Sequence, residues 1–160
     1  LDVNINGNIF RFMAIHLQSV DFQGKQYRDI SGIKKGQRPS VEDSRTILGK
    51  LKRGFQLRHD QSVKVGEQVD ESPYPVVLCG DFNDVPNSGT YFNISRNLQD
   101  AFIKRGIWIG RTFRFISPTL RIDYILPGKE FKVVNFKRIK VPYSDHYPLV
   151  ADLKYESGSE

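Results

Sequence analysis

The chain has 160 residues, of which 39% are hydrophobic and 12% aromatic, enough apolar material for one globular core. Its longest apolar stretches, such as residues 76–79, are far too short to cross a bilayer, so the sequence predicts no membrane span. The single cysteine, Cys79, excludes an internal disulfide and a thiolate zinc cluster. Any metal is therefore expected to be held mainly by oxygen ligands.

The positive charge of the chain favours a partner that carries phosphate. The net charge is +6 and the pI is about 9.5, and basic side chains attract polyanions and speed their encounter. Two local basic runs, 50–53 and 137–140, are interpreted as a solvated helix face and a charged strand edge. Charge alone does not choose between nucleic acid and phospholipid head groups.

The first third of the chain predicts a strand, a loop and a long helix. Residues 8–18 carry apolar side chains on both alternating faces, which predicts a strand buried between two layers. Residues at about 19–39 show no sustained period and predict a loop. A helix is predicted over about 41–69, because Ser40 and Asp43 form a helix start and apolar residues follow at helical spacing. A strand with two apolar faces so early in the chain needs neighbours on both sides.

The rest of the chain predicts mainly short strands. Pro73 ends the long helix, and the wholly apolar run 76–79, stopped by Gly80, predicts a central buried strand. Residues 91–102 predict short helical turns. Further strands are predicted at 112–115, 121–126, 131–141 and 149–155, and a disordered tail is predicted at 157–160.

The strongest local signal for chemistry follows the central strand. Asp81 and Asn83 are two positions apart at its end, so their side chains point the same way while Phe82 turns into the core. Such a pair can take a proton from water and orient it, or can ligate a hard cation. An Asx turn, in which Asp81 or Asn83 bonds only its own backbone, explains the residues equally well.

A second group of polar residues lies on the predicted strand 121–126 and just before the predicted strand 149–155. Asp123 occurs within an otherwise apolar strand, where an unpaired carboxylate is expensive, so it needs a partner. His146 is the natural candidate, and Arg121 is a purely structural rival. Asp145 precedes His146 and can bind metal or orient an imidazole, although an isolated Asp-His pair is more often an ordinary loop.

The remaining histidines and two aromatic residues are more simply interpreted as structural or surface residues. His16 lies near the end of the first strand, and a lone histidine on an apolar face is more often a core residue than a catalyst. His59, on the long helix, is predicted to be solvated. Trp108 and Tyr91 could stack nucleic-acid bases, but core packing is the preferred interpretation for both.

Taken together, four segments over residues 8–154 resemble the successive motifs of the endonuclease/exonuclease/phosphatase superfamily. In chain order they are Ile15-His16-Leu17, Gly80-Asp81-Phe82-Asn83, Arg121-Ile122-Asp123-Tyr124-Ile125 and Ser144-Asp145-His146-Tyr147-Pro148-Leu149-Val150. The resemblance implies an α+β fold, the DNase I-like four-layer αββα sandwich. It also implies that residues 1–160 form the carboxy-terminal part of one such domain.

The resemblance further implies a metal site and roles for individual residues. Mg²⁺ or Mn²⁺ would be held with help from Asp145, Asp81 and Asn83. By motif position, Asp81 would deprotonate or orient the attacking water, and Asn83 would hold that water or the phosphate. The remaining catalytic residues are His16, at the leaving oxygen, and His146, oriented by Asp123 and bonded to a phosphoryl oxygen.

One departure from the superfamily pattern precedes His16. Members have an earlier strand with a metal-site Asn and a following strand with the main metal-ligand Glu, and neither motif is found in the first fifteen residues here. We therefore expect a fragment that is inactive by itself and prone to self-association. The looser likeness to bacterial members with upstream membrane spans implies a membrane tether outside this chain.

The functional hypothesis is metal-dependent hydrolysis of phosphate esters, most readily phosphodiesters, by in-line attack of water. Nucleic acid is favoured over phospholipid because of the basic charge, although the fold does not decide the substrate. The alternative is a non-catalytic interaction module that retains the fold. A third possibility is an ordinary α+β domain in which the four motifs are coincidental. It is tested by the geometry, since the motifs predict that five residues converge at one sheet edge: Asp81, Asn83, Asp123, Asp145 and His146.

Overall fold

A computed structural model describes residues 1–20, 40–114 and 119–156 of the chain. The loop predicted at about 19–39 lies outside the described residues except for its first two positions, as does the tail predicted at 157–160. None of the helices in the described ranges has both the length and the apolar character needed to cross a membrane.

A mixed four-stranded sheet forms the centre of the molecule, with its strands in the order β1-β2-β3-β4. These are β1 (Asp2–Ile5), β2 (Asn8–His16), β3 (Val76–Asp81) and β4 (Asp123–Pro127). β2 and β3 are parallel, and the outer pairs are antiparallel. β1 was not predicted, although Asn6-Gly7, both with positive φ, is the turn pair that most strongly signals a hairpin.

The described residues form three helices, which are α1 (Val41–Asp70), α2 (Gly89–Ser95) and α3 (Ala101–Arg105). Ser40 caps α1 as predicted, because its hydroxyl accepts the backbone N–H of Asp43 at 3.1 Å. The predicted helical turns at 91–102 become α2 and the start of α3.

The buried face of α1 is not the one that its large apolar residues suggest. Leu48 and Phe55 are 67% and 52% exposed. The buried positions are mostly small or polar, and they are Ile47, Gly54, Arg58, Ser62, Gly66 and Val69. A Cβ atom at Gly66 would lie 2.6 Å from the carbonyl oxygen of Asn93, so this face allows α1 to approach α2 closely.

The core lies on both faces of the central sheet. On one face α1 and α2 pack against β3 and β4 through buried residues that include Leu78, Tyr124 and Leu126. On the other face a two-stranded sheet, β5 (Phe131–Arg138) and β6 (Leu149–Tyr155), packs through a smaller cluster around Phe131. The layers are therefore helix, sheet and sheet.

Burial of β2 is less complete than its sequence predicts. Met13 and Ile15 pack against the helix-side core, and Phe10 packs on the opposite side with its ring 5.4 Å from that of Phe131. Phe12, on the same face as Phe10, is 37% exposed, and so is Ile9 at the start of the strand on the helix-side face. The prediction that β2 is buried between two layers is thus wrong for most of the face that carries Phe10.

The other strands differ from prediction mainly at their ends. The predicted strand at 112–115 is wrong over its described part, since Phe113 forms only an isolated bridge with His146. The predicted strand 121–126 begins two residues later, at Asp123, and 131–141 ends earlier, at Arg138. These ends place the polar residues of interest where β2, β3 and β4 meet.

Candidate active site

The sheet aligns three polar residues in one row across neighbouring strands. His16, the last residue of β2, is the register partner of Asp81 at the end of β3. Asp81 is in turn the partner of Asp123, the first residue of β4. Because register partners project from the same face of a sheet, the three side chains lie side by side at one sheet edge. Of the residues predicted to converge at one sheet edge, Asp81 and Asp123 are direct register partners here.

Gly80 allows the row to form. Its φ is +149°, a backbone conformation that side-chain-bearing residues rarely adopt, and a Cβ atom there would overlap the carbonyl oxygen of Ile15. The backbones of β2 and β3 therefore approach each other closely just before Asp81. Glycine at this position brings Asp81 within reach of His16, whose Nε2 lies 3.6 Å from Oδ2 of Asp81.

Asp81 and Asn83 form a compact turn after β3. The backbone N–H of Asn83, a residue with φ of 49°, donates to Oδ1 of Asp81 at 2.7 Å. Its side-chain amide donates to the carbonyl of Leu17 at 3.0 Å and to Oδ2 of Asp81 at 3.2 Å. Phe82 is fully buried between them, as predicted. The Asx turn and the polar cluster thus coexist. The two interpretations that the sequence left open, a local turn and a functional pair, are therefore compatible.

His146 is held by Asp123. Its Nδ1 lies 2.9 Å and 3.0 Å from the two carboxylate oxygens of that residue. Since a carboxylate only accepts, Nδ1 carries the proton, and Nε2 is left facing Asp81 at 4.0 Å. The ring of Phe113 packs edge-on against the imidazole at 4.9 Å. The predicted Asp123–His146 pairing is present.

The alternative prediction, in which Arg121 pairs with Asp123, is wrong. Arg121 is buried and donates to Asp100 at 2.6 Å. Its guanidinium also lies over the rings of Phe102 and Tyr124, each 4.8 Å from the centroid. Arg121 therefore pairs with Asp100 and not with Asp123.

The buried hydroxyl of Thr112 supports the first residue of β4, a role that the sequence analysis missed. Its Oγ1 accepts the backbone N–H groups of Ile122 and Asp123 at 2.9 Å and 3.0 Å. Its carbonyl accepts the N–H of Tyr147 at 2.8 Å, beside His146. A threonine after a glycine-containing stretch carries no distinctive sequence signal, so only the structure identifies it.

Electrostatics distinguish Asp81 from an ordinary surface aspartate. Burial raises the pKa of Asp81, and the nearby carboxylate of Asp123 raises it further. The backbone hydrogen bond from Asn83 and the charges of His146 and His16 oppose that rise only in part. Asp81 therefore holds a proton more readily than a solvated aspartate does.

Three side chains could together hold a divalent cation. Asp81, Asp123 and His146 each offer one ligand atom, and these atoms lie within 4.8 Å of one another. The two carboxylates are ligands that hard cations such as Mg²⁺ and Mn²⁺ prefer. Asp145, predicted as a ligand, is exposed beside this group, and its carbonyl oxygen accepts the N–H of Arg114. Asn83 is oriented towards Asp81 through its amide nitrogen.

The other singled-out residues lie apart from the row. His59 is exposed on α1, as predicted. Tyr91 is buried and donates its hydroxyl proton to Asp100 at 2.9 Å, which agrees with the core interpretation. Trp108 is 91% exposed with φ of 64°, so the prediction of core packing is wrong for it.

Comparison with known proteins agrees with this fold. A family model for the endonuclease/exonuclease/phosphatase family matches residues 41–146. The chain belongs to this family of phosphoesterases. No curated protein matches the chain significantly.

Several solved structures share the fold. An endonuclease/exonuclease/phosphatase from Bacteroides vulgatus is 26% identical, with TM-score 0.54, over 64% of this chain and 46% of its own. A mannosyl-6-phosphatase from Bacteroides thetaiotaomicron is 21% identical, with TM-score 0.52, over 94% and 53%. A humanized D. rerio TDP2 is 17% identical, with TM-score 0.61, over 96% and 58%. The fold is therefore DNase I-like α+β, and the chain spans about half the length of these structures.

Proposed function

We propose that this chain carries the carboxy-terminal catalytic residues of a divalent-metal-dependent phosphoesterase that hydrolyses phosphodiesters by in-line attack of water. The observation that carries this proposal is the row formed by His16, Asp81 and Asp123, with His146 held by Asp123. Carboxylates and imidazoles together supply the proton transfer and charge stabilisation that phosphoryl transfer needs.

Asp81 is the proposed base that orients and deprotonates water. A catalytic base works best when its pKa is close to the working pH, and burial moves the pKa of Asp81 in that direction. Asn83 is fixed by its bond to the carbonyl of Leu17 and would orient the same water or a phosphoryl oxygen. Both residues are preorganised, since their positions depend on backbone hydrogen bonds within the turn.

His146 and His16 are the proposed partners of the phosphoryl group. Asp123 holds His146 through Nδ1, so Nε2 faces the site and would bond a phosphoryl oxygen as negative charge grows there. His16 is 72% exposed at the end of β2, where a departing oxygen would meet solvent. It would contact the phosphate and assist that leaving oxygen.

Mg²⁺ or Mn²⁺ is the proposed cofactor, held by Asp81, Asn83 and Asp145, with Asp123 near enough to contribute. When bound, such a cation neutralises phosphate charge and lowers the pKa of water. The cluster of Asp81, Asp123 and His146 supports a cation at this edge of the sheet. Loss of turnover on chelation and its recovery with Mg²⁺ or Mn²⁺ would test this assignment.

Nucleic acid is the proposed substrate class. The net charge of +6 supports a polyanionic partner. A lipid phosphodiester shares the same chemistry at the reacting phosphate, so the assay needs both. A sugar phosphate monoester is the third substrate, since one structure of similar fold is a mannosyl-6-phosphatase.

The test measures metal-dependent hydrolysis of oligonucleotides, a phospholipid diester and a sugar phosphate by the full-length protein and by the 160-residue chain. Asp81→Ala and His146→Ala should each lower turnover at least about 100-fold. Asp60→Ala and His59→Ala are matched controls, because they change the same residue types at exposed positions on α1. The controls should retain turnover.

The outcomes separate the proposal from its rival. Turnover by the full-length protein that needs metal, Asp81 and His146 supports a phosphoesterase, and the preferred substrate identifies its class. We expect the chain alone to be silent. If the full-length protein is inactive on all three substrates, the phosphoesterase assignment fails and a non-catalytic interaction module becomes the function to pursue.

A further inference from the structure

Arg58, on α1, is a charged residue that the proposed chemistry does not use, yet it is only 2% exposed. Its Nε donates to Oδ2 of Asp84 at 3.2 Å, and its Nη1 donates to the carbonyl of Gln18 at 3.0 Å. The ring of Phe55 lies 4.9 Å from the guanidinium carbon. One buried side chain of α1 therefore bonds the segments that follow both β2 and β3.

Those two segments carry proposed catalytic residues. Gln18 follows His16 by two positions, and Asp84 follows Asp81 by three. Gln61, one turn beyond Arg58 on α1, accepts the backbone N–H of Gln18 at 2.9 Å. Both backbone groups of Gln18 are thus held by the same helix.

Stability alone does not account for a buried arginine at this position. Removing two charges from water is unfavourable, and well-packed apolar residues of similar volume are often equally stabilising. A planar guanidinium, in contrast, holds two acceptors at a defined separation, which an apolar side chain does not do. Small displacements of catalytic groups lower rates strongly even when the displaced group is remote from the reacting atoms.

We infer that Arg58 is a positioning residue that sets the distance between the β2 and β3 segments, and with it the distance between His16 and Asp81. The inference rests on the proposed function. Arg58 acts through the carbonyl of Gln18 and the carboxylate of Asp84, and does not itself touch the reacting phosphate. Asn83 completes the connection by donating to the carbonyl of Leu17.

The test uses a variant in which neither charge is left buried alone. Arg58→Met with Asp84→Asn removes both charges, and the asparagine oxygen can still accept the N–H of Val85, as Oδ1 of Asp84 does at 3.0 Å. In the full-length protein, kcat should fall about 10- to 100-fold. KM should stay within about threefold, because the lost alignment acts on the chemical step more than on binding.

Two further variants give this test its controls. Arg58→Lys keeps a charge beside Asp84 but is a single ammonium, so it should fail to restore kcat in a folded protein. Arg96→Met with Asp70→Asn removes another Arg–Asp pair that involves α1, at the end remote from the row. That control should leave kcat unchanged.

Amide hydrogen exchange gives a readout that needs no substrate. The backbone N–H of Leu17, which donates to the carbonyl of Asp81 at 2.9 Å, should exchange faster in the Arg58→Met/Asp84→Asn variant, as should that of Asn83. A folded double variant with wild-type kcat overturns the inference. If the wild-type protein has no turnover, the proposed function fails separately, and unchanged exchange at Leu17 and Asn83 then overturns the positioning role.

Discussion

Two polar clusters built around aspartates lie in the described part of this molecule, and the aspartate charges are compensated in different ways. In the Asp100 network, Asp100 accepts from Arg121 at 2.6 Å, from the hydroxyl of Tyr91 at 2.9 Å and from backbone N–H groups of α3. In the row of His16, Asp81 and Asp123, the two aspartates are neighbouring carboxylates accompanied by histidines. The first cluster pairs its charges, whereas the second places like charges side by side.

The difference shows how aspartates can be stabilised by their neighbours in one place and destabilised in another. Burial and the adjacent Asp100 raise the pKa of Tyr91 to about 12, so its hydroxyl remains a hydrogen-bond donor at all ordinary pH values. Burial and the charge of Asp123 raise the pKa of Asp81, so that carboxylate is unfavourable in its charged form. We therefore expect mutations in the two clusters to change stability in opposite directions.

Removal of Asp100 should have the largest effect. Asp100→Ala leaves Arg121 buried without its carboxylate and removes the cap of α3, and breaking a buried pair typically costs about 3–5 kcal/mol. Urea unfolding measures this loss. Asp70→Ala, which breaks an exposed pair with Arg96, should cost no more than about 1 kcal/mol. Equal losses would show that the Asp100 network has no special role in stability.

Thr112 provides a test of the structural support beneath the row. Thr112→Val keeps the shape but leaves two buried N–H groups, those of Ile122 and Asp123, without their acceptor. Unsatisfied buried groups cost about 1–3 kcal/mol, and the start of β4 should loosen. The free energy of unfolding and the turnover of the full-length protein should both fall. Thr90→Val replaces another buried threonine, which lies outside the row, and serves as the control for the loss of turnover.

Asp81→Asn should stabilise the metal-free chain, the opposite sign to Asp100→Ala. Relief of an unfavourable active-site group commonly yields about 0.5–2 kcal/mol. Because the folded-state pKa of Asp81 is raised above the ordinary value of 3.8, the folded chain binds that proton more tightly than the unfolded chain does. The penalty is therefore absent at pH below 3.8 and grows as pH rises through the folded pKa.

The measurement is urea unfolding of wild type and Asp81→Asn across that pH range in the presence of chelator. The stability gap should open as pH rises and should narrow when Mg²⁺ or Mn²⁺ is added, since a bound cation stabilises the charged form. A gap that is independent of pH would mean that the Asp81 carboxylate is not strained by its surroundings.

The smallest effect on stability is expected at Trp108. Its side chain is 91% exposed, so Trp108→Ser should change the free energy of unfolding by less than about 0.5 kcal/mol. Thermal unfolding followed by circular dichroism is the appropriate measurement. A loss comparable to that of Thr112→Val would contradict the exposed position of this side chain.

The sequence predicted the central features of the candidate site because they are local. Asp81 and Asn83 follow an apolar strand that ends at a glycine, and the need of Asp123 for a partner pointed to His146. Strand ends that meet at one sheet edge then bring such residues together. The order of the four motifs predicted the DNase I-like fold, which hydrophobic periodicity alone does not predict.

The features that were missed depend on packing between distant segments. Arg58 has the sequence context of a solvated helix residue, and only the approach of Gln18 and Asp84 buries it. Leu48 is exposed although it follows the helical period, because small residues on the neighbouring face of α1 allow the closest contact. Trp108 shows the same limit, since hydrophobic character alone does not decide burial.

Trp108 is the single tryptophan of the sequence, and its exposure has a practical consequence. An indole in water emits fluorescence at long wavelength whether the chain is folded or not, so the emission maximum should hardly move during unfolding. A shift to shorter wavelength would instead report that something has covered the loop at Trp108. The molecule therefore carries a built-in optical probe of surface contact, while its folding must be followed through other signals.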